Sequence, residues 1–165
     1  MKNRKRGFSL VELLIVLAVI AALIATITPV ALNAIRKAQA TKVAQNIKTL
    51  AAAIENAAYV NGVEYDSGVK KIKSGSGATD FIDTITDLGR DIDDEKYGIK
   101  YQYDETSKEF KVAVFSSEEV DFATAQGVVS GLVNTLDSSY FSGTTVELGY
   151  TGTGNLYYTF EFDLY

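Results

Sequence analysis

The sequence predicts an α+β protein. One long N-terminal helix, apolar in its first half and amphipathic in its second, packs on an antiparallel sheet of about four strands with one or two short helices. Three observations carry this. From Phe8 to Leu32 the chain is almost wholly apolar, and Leu13 to Ala25 holds no polar side chain. From Asn33 to Tyr59 there is no Gly or Pro, alanine recurs, and Val43, Ile47, Leu50, Ile54 and Ala57 share one face at steps of three and four. From Ile99 onward, short runs alternate apolar with polar residues between turn-forming segments.

Composition narrows the chemistry. The chain has 165 residues, a formal charge of −5, no cysteine and no histidine. Disulfides, thiolate metal sites and cysteine nucleophiles are therefore excluded, as are histidine ligands and a histidine general base. An apolar share of 47% suits a folded chain rather than a disordered one.

The N-terminus is read as charge, then apolar helix, with one carboxylate. Lys2, Arg4, Lys5 and Arg6 precede Gly7 without an acid among them. The apolar run would span roughly 37 Å as a helix at about 1.5 Å per residue, against about 30 Å of bilayer hydrocarbon. Its basic flank belongs on the cytoplasmic side, with the rest of the chain outside. A cleavable secretory signal, with Ala31 and Ala34 as small residues near a cut, is one reading of this pattern. A plain anchor and a buried core helix are others. Glu12 counts against all three, because a carboxylate in an apolar span is costly and marks a functional position.

The string Gly7-Phe8-Ser9-Leu10-Val11-Glu12, followed by Leu-Leu-Ile-Val-Leu-Ala-Val-Ile, resembles the processing motif of type IV prepilins and the related pseudopilins. The likeness is close over residues 4 to about 37 and is absent as sequence from residue 61 on. It implies a pilin-like fold in three parts: a basic leader at 1–7 removed by a prepilin peptidase, a transmembrane and amphipathic helix at 8–60, and an acidic head at 61–165. It further implies cleavage between Gly7 and Phe8, N-methylation of Phe8, and assembly through Phe8 and Glu12, the carboxylate pairing with the terminal amine of a neighbouring copy. Ser9 stands where many relatives carry threonine. Pro29 matches a proline at which the helix of relatives bends or melts in the filament. The implied partners are the prepilin peptidase/methyltransferase, the lipid bilayer before assembly, the inner-membrane assembly machinery and other copies of the chain in a helical filament. The implied location is the cytoplasmic membrane first, then an extracellular pilus or a periplasm-spanning pseudopilus. No cofactor is implied.

Physical reasons stand beside these assignments. Gly7 lets a protease hold its backbone extended. Cleavage removes four positive charges and exposes an α-amine of pKa about 8. Pro29 removes one helical hydrogen bond, and Thr26 and Thr28 can bond back to carbonyls of the same turn, which makes this the expected flexible point. Arg36, Lys37, Lys42 and Lys48 lie off the apolar face, available to lipid headgroups, acidic neighbours or water. Asn61-Gly62 closes the helix.

In the head, residues 63–78 are read as loop and Thr79–Leu88 as a short helix with Phe81, Ile82, Ile85 and Leu88 on its apolar face. Asp91, Asp93 and Glu95 alternate as in a calcium loop. Lys96 and Gln102 break the EF-hand pattern, so these three remain only a calcium candidate beside the plain reading of a solvated turn. Residues 99–103 and 110–114 form a hairpin about Glu105–Lys108. Ser117 is the expected cap of a helix whose apolar face runs from Phe122 to Leu136, with Gly127 and Gly131 as weak points. Strands follow at 146–150 and 156–162. No disulfide can close the C-terminal end, so strand pairing and aromatic packing must.

Residues 64–165 hold 19 acids against 8 bases, a net of −11. That head disfavours direct nucleic-acid binding. Three functional readings result. The first is a structural subunit of a type IV pilus, serving adhesion, motility or DNA uptake. The alternative is a pseudopilin of a type II secretion system. The third is a membrane-anchored enzyme, for which no spacing marks a nucleophile or an acid–base pair.

Overall fold

Helix α1 runs from Leu10 to Asn61 in the computed structural model, in which residues 8–75, 80–88 and 92–164 are described. The chain divides into two compact units, Met1–Ala38 and Gln39–Tyr165, and the division falls within α1. In the first unit every described residue is exposed. The helical assignment continues across Pro29, whose ring leaves one carbonyl of the preceding turn without its N–H. There the Thr28 hydroxyl donates to the Ile24 carbonyl (2.7 Å) and the Thr26 hydroxyl to the Leu23 carbonyl (2.9 Å).

In the second unit the remainder of α1 buries Ala40, Val43, Ala44, Ile47, Leu50, Ala51, Ile54 and Ala58. The expected stripe is there, with Ala57 half-buried beside it. It packs on one face of a five-stranded antiparallel sheet. The strands are β3 (Tyr97–Asp104), β4 (Glu109–Ser116), β5 (Leu132–Val133), β6 (Val146–Gly149) and β7 (Leu156–Asp163), in the order β5-β7-β4-β3-β6. Alternate residues Ile99, Tyr101, Phe110, Val112, Val114 and Phe162 enter the shared core. The helix ends as expected: Gly62 takes φ +75° and its N–H bonds to the Ala58 carbonyl (3.1 Å).

The expected hairpin is β3–β4. Its turn is closed by the Lys108 N–H on the Asp104 carbonyl (2.8 Å), with the Asp104 carboxylate accepting from the Thr106 N–H (2.8 Å). The last strand pairs with β4 over all eight residues, and Phe162 stacks on Phe110 at 5.3 Å. These contacts hold the C-terminal end without a disulfide. Gly98 is required where β3 meets the segment after β6, since a Cβ there would collide with the Tyr150 carbonyl and the Phe115 ring.

Three local expectations are corrected. Residues 63–72 are not loop but a hairpin, β1 (Val63–Asp66) with β2 (Val69–Ile72). Ser67 and Gly68 both take positive φ, 51° and 84°, the backbone twist that suits a two-residue hairpin turn. The expected helix over 79–88 is only a single 3-10 turn at Ile85–Asp87. Its start is held extended against β2, by a bridge between Lys73 and Phe81 and a bond from the Ile82 N–H to the Ile72 carbonyl (3.1 Å). The helix expected after Ser117 is the shorter α2 (Phe122–Val128). Its cap is Asp121, which accepts from the Thr124 N–H (2.8 Å), while the Ser117 N–H is used by the Lys96 carbonyl (2.9 Å). Gly131 turns the chain at φ +90°, and Leu132–Val133 then pair with β7 as β5, which is why the sheet has five strands.

Candidate functional site

The N-terminal site begins at Phe8, three-quarters exposed, since Gly7 lies outside the described residues. Ser9 and Glu12 form a reciprocal cap at the start of α1. The Ser9 N–H donates to Glu12 Oε2 (3.2 Å), and Ser9 Oγ accepts from the Val11 N–H (3.4 Å). The Glu12 bond is the one expected of an S-x-x-E capping box, a pattern carried by Ser9-Leu10-Val11-Glu12, while the Ser9 hydroxyl takes the N–H of the second helical residue rather than the third. The pattern puts a carboxylate at the helix end where unpaired N–H groups concentrate positive partial charge. Around it lies an apolar surface: Leu10, Val11, Leu13, Leu14 and Leu17 are all more than half exposed. Helix α1 is long and apolar enough to cross a membrane.

Of the four bases singled out on α1, Lys48 is committed to the head. Its Nζ donates to the Tyr158 hydroxyl (2.7 Å) and stands 4.3 Å above that ring. Arg36, Lys37 and Lys42 are exposed.

The acidic run does not assemble a metal centre among the described residues. Asp91 lies outside them. Asp93 pairs with Lys96 (3.0 Å) and accepts from the Glu95 N–H (3.1 Å); the bond from Lys96, then that from Glu95, holds its carboxyl below the usual range.

The tyrosines divide. Tyr97 and Tyr101 are core residues whose burial pushes each hydroxyl up to about 12. Tyr97 still finds partners: it accepts from Asn46 Nδ2 (3.1 Å) and donates to Glu118 (3.1 Å), tying α1 to β3 and to the segment after β4. Tyr140 bonds to the Val112 and Phe160 carbonyls (3.3 and 2.9 Å) across the β4–β7 pair. Tyr65 is 55% exposed and donates to Glu105. The other close charge pairs, such as Lys111–Asp104 (3.1 Å) and Lys100–Glu147 (2.9 Å), lock neighbouring strands or turns.

A family model described as the prokaryotic N-terminal methylation motif matches residues 2–28. The match takes in the basic segment, Phe8, Glu12 and most of the apolar run, and none of the head. No curated protein and no solved structure matches the chain.

Proposed function

From a chain whose N-terminal segment belongs with the type IV prepilins and pseudopilins, we propose a structural filament subunit, most specifically of a type IV pilus. The observation that carries this is one carboxylate, Glu12, capping the start of a helix that is otherwise almost wholly apolar to Leu32 and exposed throughout that stretch. Such a helix needs an apolar surrounding, either a bilayer or its own copies.

The leader is cut between Gly7 and Phe8 by a prepilin peptidase, which also methylates the Phe8 amine. Loss of Lys2, Arg4, Lys5 and Arg6 moves the side-chain net charge from −5 to −9 and leaves one new cation, the amine. Glu12 already reaches the Ser9 N–H, so the Phe8 amine one residue upstream comes within range of the same carboxylate. A neighbour's amine therefore has to displace a local bond. Pairing across copies then sets register more than it adds net stability, because both charges lose water. Pro29 is the point at which the helix yields on assembly; the two threonine hydroxyls bonded to Leu23 and Ile24 offer carbonyls there an alternative to the helical ladder. A final strand reaching Asp163, where a C-terminal calcium loop would mark a pseudopilin, favours the pilus over the secretion filament.

The test is assembly in the native cell. Glu12→Ala is expected to be processed to a chain starting at N-methylated Phe8 by mass spectrometry, yet to give few surface fibres by electron microscopy. Normal fibre yield would overturn the role of Glu12. A deletion that abolishes protein secretion while leaving fibres intact would replace the pilus with the pseudopilus.

A further inference from the structure

The head carries an open cavity of about 160 Å³ where the β1–β2 hairpin, the end of β3 and the loop before β6 meet; Tyr65, Lys70, Gln102, Tyr103, Glu105 and Thr144 line it. These residues come from segments up to 79 positions apart in sequence, from 65 to 144. Two tyrosine rings flank a single ammonium: Lys70 Nζ lies 3.6 Å from the Tyr103 centroid and 5.7 Å from that of Tyr65. Among the described residues Lys70 makes no ion pair, so its N–H groups stay available to a ligand. The neighbouring Lys71 and Lys73 differ, being paired with Asp66 (2.6 Å) and Glu64 (3.0 Å). Glu105 is held from one side by the Tyr65 hydroxyl and retains acceptor capacity. Gln102 is nearly buried, and its carboxamide is oriented by the Ser142 N–H (3.0 Å).

The set combines an exposed aromatic face with an ammonium, a carboxylate, an amide and a hydroxyl, donors and acceptors together. A lipid tail would leave those polar groups unpaired. An acidic peptide would meet Glu105 as well as Lys70. A ring bearing hydroxyls on its rim and C–H groups on its faces satisfies both kinds of surface. The volume is below the roughly 300–1,000 Å³ of pockets for drug-sized ligands, so it suits one ring rather than a chain.

We propose that this cavity is a saccharide subsite, taking one pyranose ring against Tyr65 with its hydroxyls on Lys70, Glu105 and Thr144. The site belongs to the head and does not depend on the filament reading. Sugars would be recognised whether or not the chain polymerises.

The experiment uses the full-length chain in a sugar-free phosphocholine detergent, because maltoside detergents carry the ligand chemistry themselves. The probes are the methyl glycosides of glucose, galactose, mannose, N-acetylglucosamine and N-acetylneuraminic acid at millimolar concentration, read by saturation-transfer NMR and by shifts of the Tyr65 and Thr144 resonances. At least one probe should bind. Tyr65→Ala should weaken it about tenfold, the scale of one lost aromatic face, and Tyr65→Phe should weaken it less. Lys70→Met, whose stem can still cover Tyr103, should weaken the same probe while leaving the circular dichroism unchanged. Failure of all five probes to shift these resonances would overturn the proposal. So would binding that survives both Tyr65→Ala and Lys70→Met, or a polyglutamate peptide moving the resonances where the sugars do not.

Discussion

Residues 10–38 and residues 39–61 belong to one helix, yet the first stretch buries nothing within the chain and the second buries eight side chains. Both are rich in Leu, Ile, Val and Ala. The difference lies in arrangement. The second half sets its buried residues at steps of three and four and leaves Lys42, Gln45, Thr49 and Asn56 exposed on the other side, so one face can meet a sheet while the other meets water. The first half is apolar on every side from Leu13 to Ala25 and has no such division there; its charges, Glu12, Arg36 and Lys37, stand at its two ends. A helix of this kind is stable only where every side of it is apolar, as in a bilayer or a bundle of like helices. Secondary structure alone thus says little about where a segment's stability comes from. Residues 39–61 draw theirs from burial within this chain; residues 10–38 bury no side chain within it.

The sharpest way to break this comparison is to truncate one leucine in each stretch. Leu50 is fully buried, and Leu50→Ala should lower the stability of the head by about 2–5 kcal/mol through lost burial and the cavity left behind. Leu17 is 63% exposed, and Leu17→Ala should move the same unfolding curve by less than about 0.5 kcal/mol. Denaturant unfolding followed by tyrosine near-ultraviolet dichroism measures both. Equal losses would mean that the first stretch contributes to the folding of the head, and the contrast would fail.

How much of this was legible in the sequence differs between the same regions. The N-terminal site is contiguous: Gly7, Phe8 and Glu12 sit within six residues of one another, and the match over 2–28 covers them all. Periodicity also revealed the buried face of α1, which has one wet and one dry side, and the β3–β4 hairpin, where alternation about a turn marks two strands even though both are largely buried on both faces. The β1–β2 hairpin was hidden, since Val63-Glu-Tyr-Asp and Val69-Lys-Lys-Ile are short, charged and mostly half-exposed, with the composition of a loop. Only Ser67-Gly68 marks it, through turn geometry rather than hydropathy. The length of α2 was overread because Val129 and Leu132 continue its apolar pattern, although Gly131 sends the chain into β5. The cavity at Tyr65 could not be read at all, as it exists only where three separated segments meet.

A second test uses pH to separate the regions. Burial raises Tyr97 and Tyr101 from an ordinary value of 10.0 to about 12, so folding favours their neutral form. The stability this contributes is complete below pH 10 and is lost as pH climbs from 10 towards 12, on the order of 1–3 kcal/mol for each ring. All ten tyrosines lie beyond residue 38, so the alkaline transition belongs to the head. Tyr140, which burial also pushes up to about 12, belongs with Tyr97 and Tyr101, so tyrosinate absorbance should rise in two stages, with these three rings ionising in the second as the fold is lost. The second stage should coincide with loss of near-ultraviolet dichroism. A single stage preceding any loss of dichroism would show that Tyr97 and Tyr101 are accessible to solvent in the folded state.

The smallest effect compares two helix starts. Asp121 caps α2 with a 2.8 Å bond from the Thr124 N–H, and the segment it begins is held in the head by Ala125, which is fully buried. Asp121→Ala should therefore cost about 1 kcal/mol of head stability, the usual value of an N-cap. Ser9 caps α1 through a longer bond, 3.4 Å from the Val11 N–H, in a stretch that buries no side chain within the chain. Ser9→Ala removes the hydroxyl and leaves the bond from the Ser9 N–H to Glu12, so it should leave the head's unfolding curve where it was. If Ser9→Ala costs the head as much as Asp121→Ala, fraying at Leu10 would have to reach the core thirty residues away at Ala40, and the two stretches of α1 would unfold together. If the costs differ as expected, the N-terminal stretch can unwind, bend at Pro29 or exchange one apolar surrounding for another while the head stays folded.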